Sequence, residues 1–346
     1  SVKDVLKNSA SKFEFYMNYP PSYPREVERS LAECNNIDSN KISIGVGASE
    51  LIDRLIRMIN PKQALLLSPC FSEYERCLKN QESQIIYHKL SKKNNFCVET
   101  NIYSSIDKLG RGDIFFICTP NNPNGLLVPL DILLGCIELC ENKGIYLVID
   151  ISFLDFTKSY DINVLEKDMI IDKLIYHDKT LNKLIINTQY TVLLNTFTKL
   201  YSIPSLRIGY CFSNNLELIK HLNKYYVPWS ISTLAQNIAI TICEDKSRTK
   251  WIEDTKEVVF MLREQLIKKL SKFPLTIYKS DANFILFRDN SNLDLIEELL
   301  KYDISIRDCS NYRELGKNYY RIAVKNKKEN KYLLSVLYKL YGEKCG

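Results

Sequence analysis

Lys199 is the residue in this sequence best placed to act as a nucleophile. It ends the run Thr196-Phe-Thr198-Lys199, which follows an apolar segment, and Arg207 comes eight residues later. A lysine that is partly dehydrated and close to another cation loses proton affinity, and its neutral amine can condense with a carbonyl. A solvated lysine does neither. Asp150 closes the apolar run IYLVID. It could cap a helix or sit in a surface turn; at the mouth of a sheet it could instead keep a ring nitrogen protonated. Asn122, within Thr119-Pro-Asn121-Asn122-Pro-Asn124-Gly125, reads as loop punctuation or as an amide offered to a ligand. Gly45-Val-Gly47-Ala48-Ser49-Glu50 reads as a tight turn with Ser49 capping a helix, or as exposed backbone N–H groups suited to a phosphate. No Walker lysine follows, and the spacing is not G-x-G-x-x-G.

These residues need a scaffold that brings them to one edge. The runs KISIGV (41–46), ALLLSP (64–69), IYHKL near 88, DIFFICTP (113–120), IYLVID (145–150), TVLLNT (191–196) and RIGYCF (207–212) are strand-like. Helical periodicity lies between them, as in SELIDRLIRMI (49–59) and PLDILLGCIELCENKG (129–144). Continuous apolar strands alternating with helices predict a largely parallel sheet covered on both faces. Ligands of such sheets bind beyond the carboxyl ends of the strands, which is where Asn122, Asp150 and Lys199 fall. After about residue 214 long helices dominate, followed by short strands at 284–288, 303–307 and 319–324. The expected division is a large domain over 30–220 and a small α+β domain built from 1–29 and 221–346. Residues 157–190, rich in Lys, Asp and Asn, read as a surface excursion.

Composition narrows the classes of function. The chain has 346 residues, 45% hydrophobic and 25% charged, with a net charge of +6. That excludes a disordered chain, a collagen-like fibre and a small disulfide scaffold. The positive excess is too mild and too dispersed for nucleic acid, but it suits a small anionic ligand. Eleven cysteines, mostly in apolar runs and without a Cys-x-x-Cys pair, read as buried thiols of a cytoplasmic protein. Three scattered histidines argue against a metal site. No apolar run reaches the roughly 18 residues of a membrane span, and the N-terminal segment lacks a signal-peptide core. The sequence begins at Ser1 rather than at a methionine, so it is expected to be a trimmed form of a longer chain.

Taken in order, the motifs SPCFSEY (68–74), CTPNNPNG (118–125), ID-x-x-F (149–153), TFTK (196–199) and SLRIGY (205–210) resemble those of pyridoxal-phosphate enzymes with the aspartate-aminotransferase fold. The resemblance covers nearly the whole chain. It is strongest to the branch that holds histidinol-phosphate aminotransferase and threonine-phosphate decarboxylase. It implies a seven-stranded, mostly parallel sheet and a homodimer with shared active sites. It also implies roles. Lys199 would bond covalently to the cofactor aldehyde, Asp150 would pair with the pyridinium nitrogen, and Asn122 would hydrogen-bond the ring oxygen. Phe71 would stack on the ring. Ala48, Ser49, Thr196, Thr198 and Arg207 would surround the cofactor phosphate, and Tyr19 would reach the phosphate of the partner subunit. Arg321 would take the substrate α-carboxylate and Arg307 its phosphate.

Within the branch, ISIRDCSNYREL (304–315), Trp229 in VPWSIS and Phe153 lean toward decarboxylation of L-threonine O-3-phosphate, a step that serves cobalamin synthesis. A phospho-amino-acid transaminase, such as histidinol-phosphate aminotransferase, would use the same cofactor residues. A protein that binds the cofactor without turnover is the rival from another class. Several positions depart from the family pattern: Ile151-Ser152 in place of Glu-Ala, Asn124 in place of Thr, and Glu314 where Gly is common. The separation of 49 positions from Asp150 to Lys199 implies an insertion at 157–190. The start at Ser1 leads us to expect that a short N-terminal arm, with which relatives help bind substrate phosphate, is missing.

Overall fold

A computed structural model describes residues 17–157, 188–291 and 293–342. The insertion expected at 157–190 therefore lies almost wholly outside the described residues. In chain order the helices are α1 (Arg25–Asn35), α2 (Ala48–Ile59), α3 (Ser72–Asn80), α4 (Ile102–Ile106), α5 (Leu130–Lys143), α6 (Phe197–Leu200), α7 (Leu216–Lys224), α8 (Thr233–Glu244), α9 (Arg248–Leu270), α10 (Leu295–Leu300) and α11 (Lys327–Gly342). The strands of the first sheet are β1 (Ile42–Gly45), β2 (Gln63–Ser68), β3 (Gln84–Lys89), β4 (Ile114–Cys118), β5 (Tyr146–Asp150), β6 (Thr191–Thr196) and β7 (Gly209–Phe212). They lie in the order β1-β7-β6-β5-β4-β2-β3, and β7 alone runs against the rest.

The strands are apolar because both faces of this sheet are covered, and their side chains divide by parity. Leu65, Leu67, Phe115, Ile117, Leu147, Ile149 and Leu193 enter one core. Leu66, Ile114, Phe116, Val148, Val192 and Leu194 enter the other, beneath α2 and α3. That is the period of two expected of extended chain. α2 meets its core with Leu51, Ile52, Leu55 and Ile56, a stripe at helical spacing. α8 buries Ala235, Ile238, Ala239 and Ile242 in the first of these cores.

A second, smaller sheet is antiparallel throughout. It has the order β10-β11-β9-β8, with β8 (Leu275–Ile277), β9 (Phe284–Asp289), β10 (Arg307–Asp308) and β11 (Tyr319–Ala323). Parity again divides its faces. Ile285, Phe287, Tyr320 and Ile322 pack with Leu266, Leu270, Leu334 and Leu337 of α9 and α11. Leu286 and Tyr319 face the other way and join the core of the large sheet. Arg321, between Tyr320 and Ile322, therefore leaves the sheet on the face opposite α9 and α11.

The strand expected at 303–307 is realised only at Arg307–Asp308. β10 lies at the sheet edge, and residues 303–306 peel away from it to line a cavity. No disulfide joins the described cysteines. Among the described residues no helix is long and apolar enough to cross a membrane.

Candidate active site

The carboxyl ends of β1, β2, β4, β5 and β6 and the start of β7 share one edge, and Ala48, Ser49, Phe71, Asn122, Asp150, Thr196, Thr198, Lys199 and Arg207 lie at or near these strand ends. Asp150 ends β5 beside Cys118 of β4 and is 4% exposed. It has the parity of Val148, so it points into the core that holds Tyr74. Tyr74 Oη donates to Asp150 Oδ2 at 2.7 Å, and the Ser152 N–H donates to Oδ1 at 3.0 Å. Tyr74 is itself held by a stacked contact with Phe116, centroids 4.9 Å apart. Burial first, then the Asp150 charge, pushes the Tyr74 phenol well above its ordinary range, so it remains a donor at neutral pH. Phe71 precedes α3 and meets Tyr74 edge-on at 5.6 Å.

Lys199 lies within the short helix α6, one residue before its end. Thr196 caps that helix, its hydroxyl accepting from the Thr198 N–H at 3.2 Å and lying 3.0 Å from the Thr198 hydroxyl. The Lys199 amine opens into a cavity of about 880 Å³ that Phe153, Asn283, Phe284, Arg307 and Arg321 also line. It stands 5.3 Å from the centroid of the Phe153 ring. Dehydration by these walls is the largest influence and lowers its pKa; Arg321 and Arg207 lower it further, against the opposing pull of Asp150 and Cys118.

Asn122 Oδ1 accepts from Tyr312 Oη at 3.2 Å and from Arg321 Nη1. With the oxygen so occupied, the amide NH₂ is left to donate elsewhere. Asn124, one of the departures from the family pattern, is fully buried. It ties the loop to itself and to the chain at Phe96, accepting from Asn121 at 2.9 Å and donating to the Phe96 carbonyl at 3.0 Å.

The turn before α2 forms a cradle. Gly47 has φ +79°, and a Cβ there would lie 2.7 Å from Arg207 Nη2. Only a residue without a side chain lets the Arg207 guanidinium approach the N-terminus of α2, where Ala48 and Ser49 present N–H groups. Gly209 serves the same approach from β7: a Cβ there would lie 2.9 Å from the Ala48 nitrogen.

Tyr19 is not part of this cluster. It is 86% exposed, and its ring packs on Trp229 with centroids 5.8 Å apart. Arg307, also exposed, donates to Asn311 at 3.0 Å. Two residues of the site carried no role in the sequence. Tyr74 was marked only by its place three residues after Phe71, and Tyr312 only by its place in the loop that follows Arg307.

The family model for aminotransferase class I and II matches residues 1–337. The chain belongs to that family. Among relatives of this aminotransferase class I and II chain is the threonine-phosphate decarboxylase of Salmonella typhimurium, 27% identical over 97% of the chain and 86% of the relative. The histidinol-phosphate aminotransferase of Methanocaldococcus jannaschii is 25% identical over 97% and 84% respectively. The crystal structure of the histidinol-phosphate aminotransferase from Clostridium acetobutylicum superposes with a TM-score of 0.83 at 27% identity, covering 99% of this chain and 96% of that one. The chain is thus an enzyme of the aspartate-aminotransferase fold, a pyridoxal-5′-phosphate-dependent decarboxylase or aminotransferase. Its own residues fit that cofactor. A buried carboxylate with two donors suits a protonated ring nitrogen, a glycine-lined cradle under an arginine suits a phosphate, and an amine of lowered pKa suits an aldehyde.

Proposed function

We propose that this enzyme decarboxylates L-threonine O-3-phosphate, giving carbon dioxide and 1-amino-2-propanol phosphate, in the service of cobalamin synthesis. The observation that carries the reading is the pairing of Arg307 with Arg321 across β10 and β11, in the cavity that also holds Lys199. Two guanidiniums on one face suit a small substrate with an anion at each end. Similarity to the Salmonella enzyme adds support.

When bound, the cofactor supplies an electron sink for the pair left at Cα as carbon dioxide departs. Lys199 would hold the cofactor aldehyde and then deliver to the substrate's Cα the proton that takes the place of the departed carboxylate. Asp150, oriented by Tyr74, would keep the ring nitrogen protonated. Asn122 would donate its amide to the ring oxygen, and Phe71 would cover a ring face. Ala48, Ser49, Thr196, Thr198 and Arg207 would enclose the cofactor phosphate. Arg321 would take the α-carboxylate and Arg307 the substrate phosphate, two grips that together fix the rotation about Cα and so decide which bond breaks. Phe153 offers the site a ring with no hydroxyl. The exposure of Tyr19 supports a homodimer in which this residue reaches the partner's cofactor phosphate.

The test is to supply O-phospho-L-threonine to the cofactor-loaded protein and measure carbon dioxide and the amino-alcohol phosphate. The likeness to histidinol-phosphate aminotransferases supports a second reading, checked in parallel with histidinol phosphate and a 2-oxo acid. Transamination without carbon dioxide release would replace the first reading with the second.

A further inference from the structure

The loop between β10 and β11 carries two side chains, Arg313 and Glu314, that have no part in the site described above. Arg313 Nη2 donates to Glu75 Oε1 at 3.1 Å and to Tyr87 Oη at 3.2 Å. Its guanidinium carbon stands 4.0 Å from the centroid of the Tyr87 ring. Glu75 belongs to α3 and Tyr87 to β3, so the loop is tied across to the large sheet. Beside it, Glu314 adopts φ 72°, a conformation that glycine takes readily and a side chain disfavours. Its carboxylate pairs with Lys89 of β3 at 3.2 Å. A single exposed ion pair contributes little. Here one guanidinium meets an acceptor, a phenol and a ring face together, with a second ion pair alongside. Glu75 shows the convergence: dehydration pushes its pKa up, yet hydrogen bonds from Lys79, Tyr87 and Arg313 outweigh this and hold it below the usual carboxylate range.

The same loop reaches the site through Tyr312. That residue is buried, donates to Asn122 at 3.2 Å, and lies under the Arg307 guanidinium, 5.7 Å from ring centroid to guanidinium carbon. The loop is also the covalent link between the two arginine strands. We propose that Arg313 and Glu314 form a latch that pins this loop to α3 and β3, and that Arg313 is thereby a positioning residue for the phosphorylated end of the substrate. The inference rests on the substrate reading above for what the latch does, but not for its existence.

Arg313→Ala, Arg313→Lys and Glu314→Gly separate the two parts. Hydrogen exchange of the cofactor-loaded protein reads the latch itself: amides of residues 309–318 should exchange faster in Arg313→Ala. Steady-state kinetics with O-phospho-L-threonine read its consequence. Arg313→Ala should raise KM about three- to tenfold while kcat stays within about twofold, with unchanged affinity for pyridoxal phosphate. Arg313→Lys keeps the charge but not the planar contact with Tyr87, and should fall between the two. Glu314→Gly relieves the positive φ, so it should fold even where Arg313→Ala does not, and should show the same direction of change in exchange and in KM. Unchanged exchange overturns the latch. Faster exchange with unchanged KM overturns the positioning role, as does a fall in kcat that merely follows cofactor loss. If the parent protein turns over no phosphorylated amino acid, the substrate reading fails, while the exchange data still decide the latch.

Discussion

Arg307 and Arg321 are direct partners across the antiparallel pair β10–β11, so their side chains leave the sheet on one face. Each would meet a different anion of the substrate, and their losses should differ in kind. Arg307→Ala should raise KM for O-phospho-L-threonine by about 10- to 100-fold, the loss of a charge-assisted hydrogen bond, and leave cofactor affinity unchanged. Arg321 also donates to Asn122, so Arg321→Ala should lower kcat as well as raise KM. Equal KM values in Arg307→Ala and the parent protein would remove that residue from the substrate site.

The Asp150 carboxylate depends on Tyr74 for one of its two donors. Tyr74→Phe keeps the ring stacked on Phe116 but leaves a buried oxygen short of a partner. The cofactor-free protein should lose about 1–3 kcal/mol of stability in urea denaturation. In the Asp150→Asn background the same change should cost less, because the charge that needed the donor is gone. Equal costs in both backgrounds would show that the hydroxyl does not serve Asp150.

Lys199 loses proton affinity first through dehydration and then through Arg321 and Arg207. The sign is plain: a lowered pKa makes the amine neutral at a lower pH than a solvated lysine. Trace acetylation of the cofactor-free protein across a pH series should give Lys199 a reactivity midpoint below those of surface lysines. Arg321→Gln and Arg207→Gln each remove a neighbouring cation, so each should move that midpoint upward. A midpoint unmoved by both changes would leave dehydration as the whole cause.

Much of this was legible in the sequence, and the reasons are physical. A strand buried on both faces must be continuously apolar, so DIFFICTP and IYLVID announced themselves, and the residues just beyond them had to share an edge. Tyr74 and Tyr312 were not legible in the same way. Their partners, Asp150 and Asn122, lie 76 and 190 residues away, and no local pattern records such a pairing. The 303–307 run alternates as a strand should, yet an edge strand has one neighbour and can peel off to wall a cavity. β8 follows a proline and spans three residues, too short to show a period.

Gly209 and Gly47 lie on either side of the same cradle, yet substitution at each should fail differently. A Cβ on Gly209 would meet the backbone of Ala48, Gly47 and Asn195 at 2.9–3.0 Å. Backbone cannot step aside, so Gly209→Ala must push β7 away from the start of α2. Overpacking of this kind costs about 1–3 kcal/mol, and the cofactor-free protein should already be less stable. A Cβ on Gly47 would meet the end of the Arg207 side chain, which can swing. The cost to the cofactor-free protein is then chiefly that of a side chain at φ 79°, ψ 170°, a region used almost only by glycine, about 1–3 kcal/mol. The displaced guanidinium, however, no longer closes the cradle. Gly47→Ala should therefore weaken pyridoxal phosphate binding by more than its stability loss explains, and Arg207→Ala in that background should weaken it little further. Fluorescence titration of each variant with the cofactor, set beside urea denaturation, makes the comparison. Additive losses from Gly47→Ala and Arg207→Ala would separate the glycine from the arginine and undo the account of the cradle.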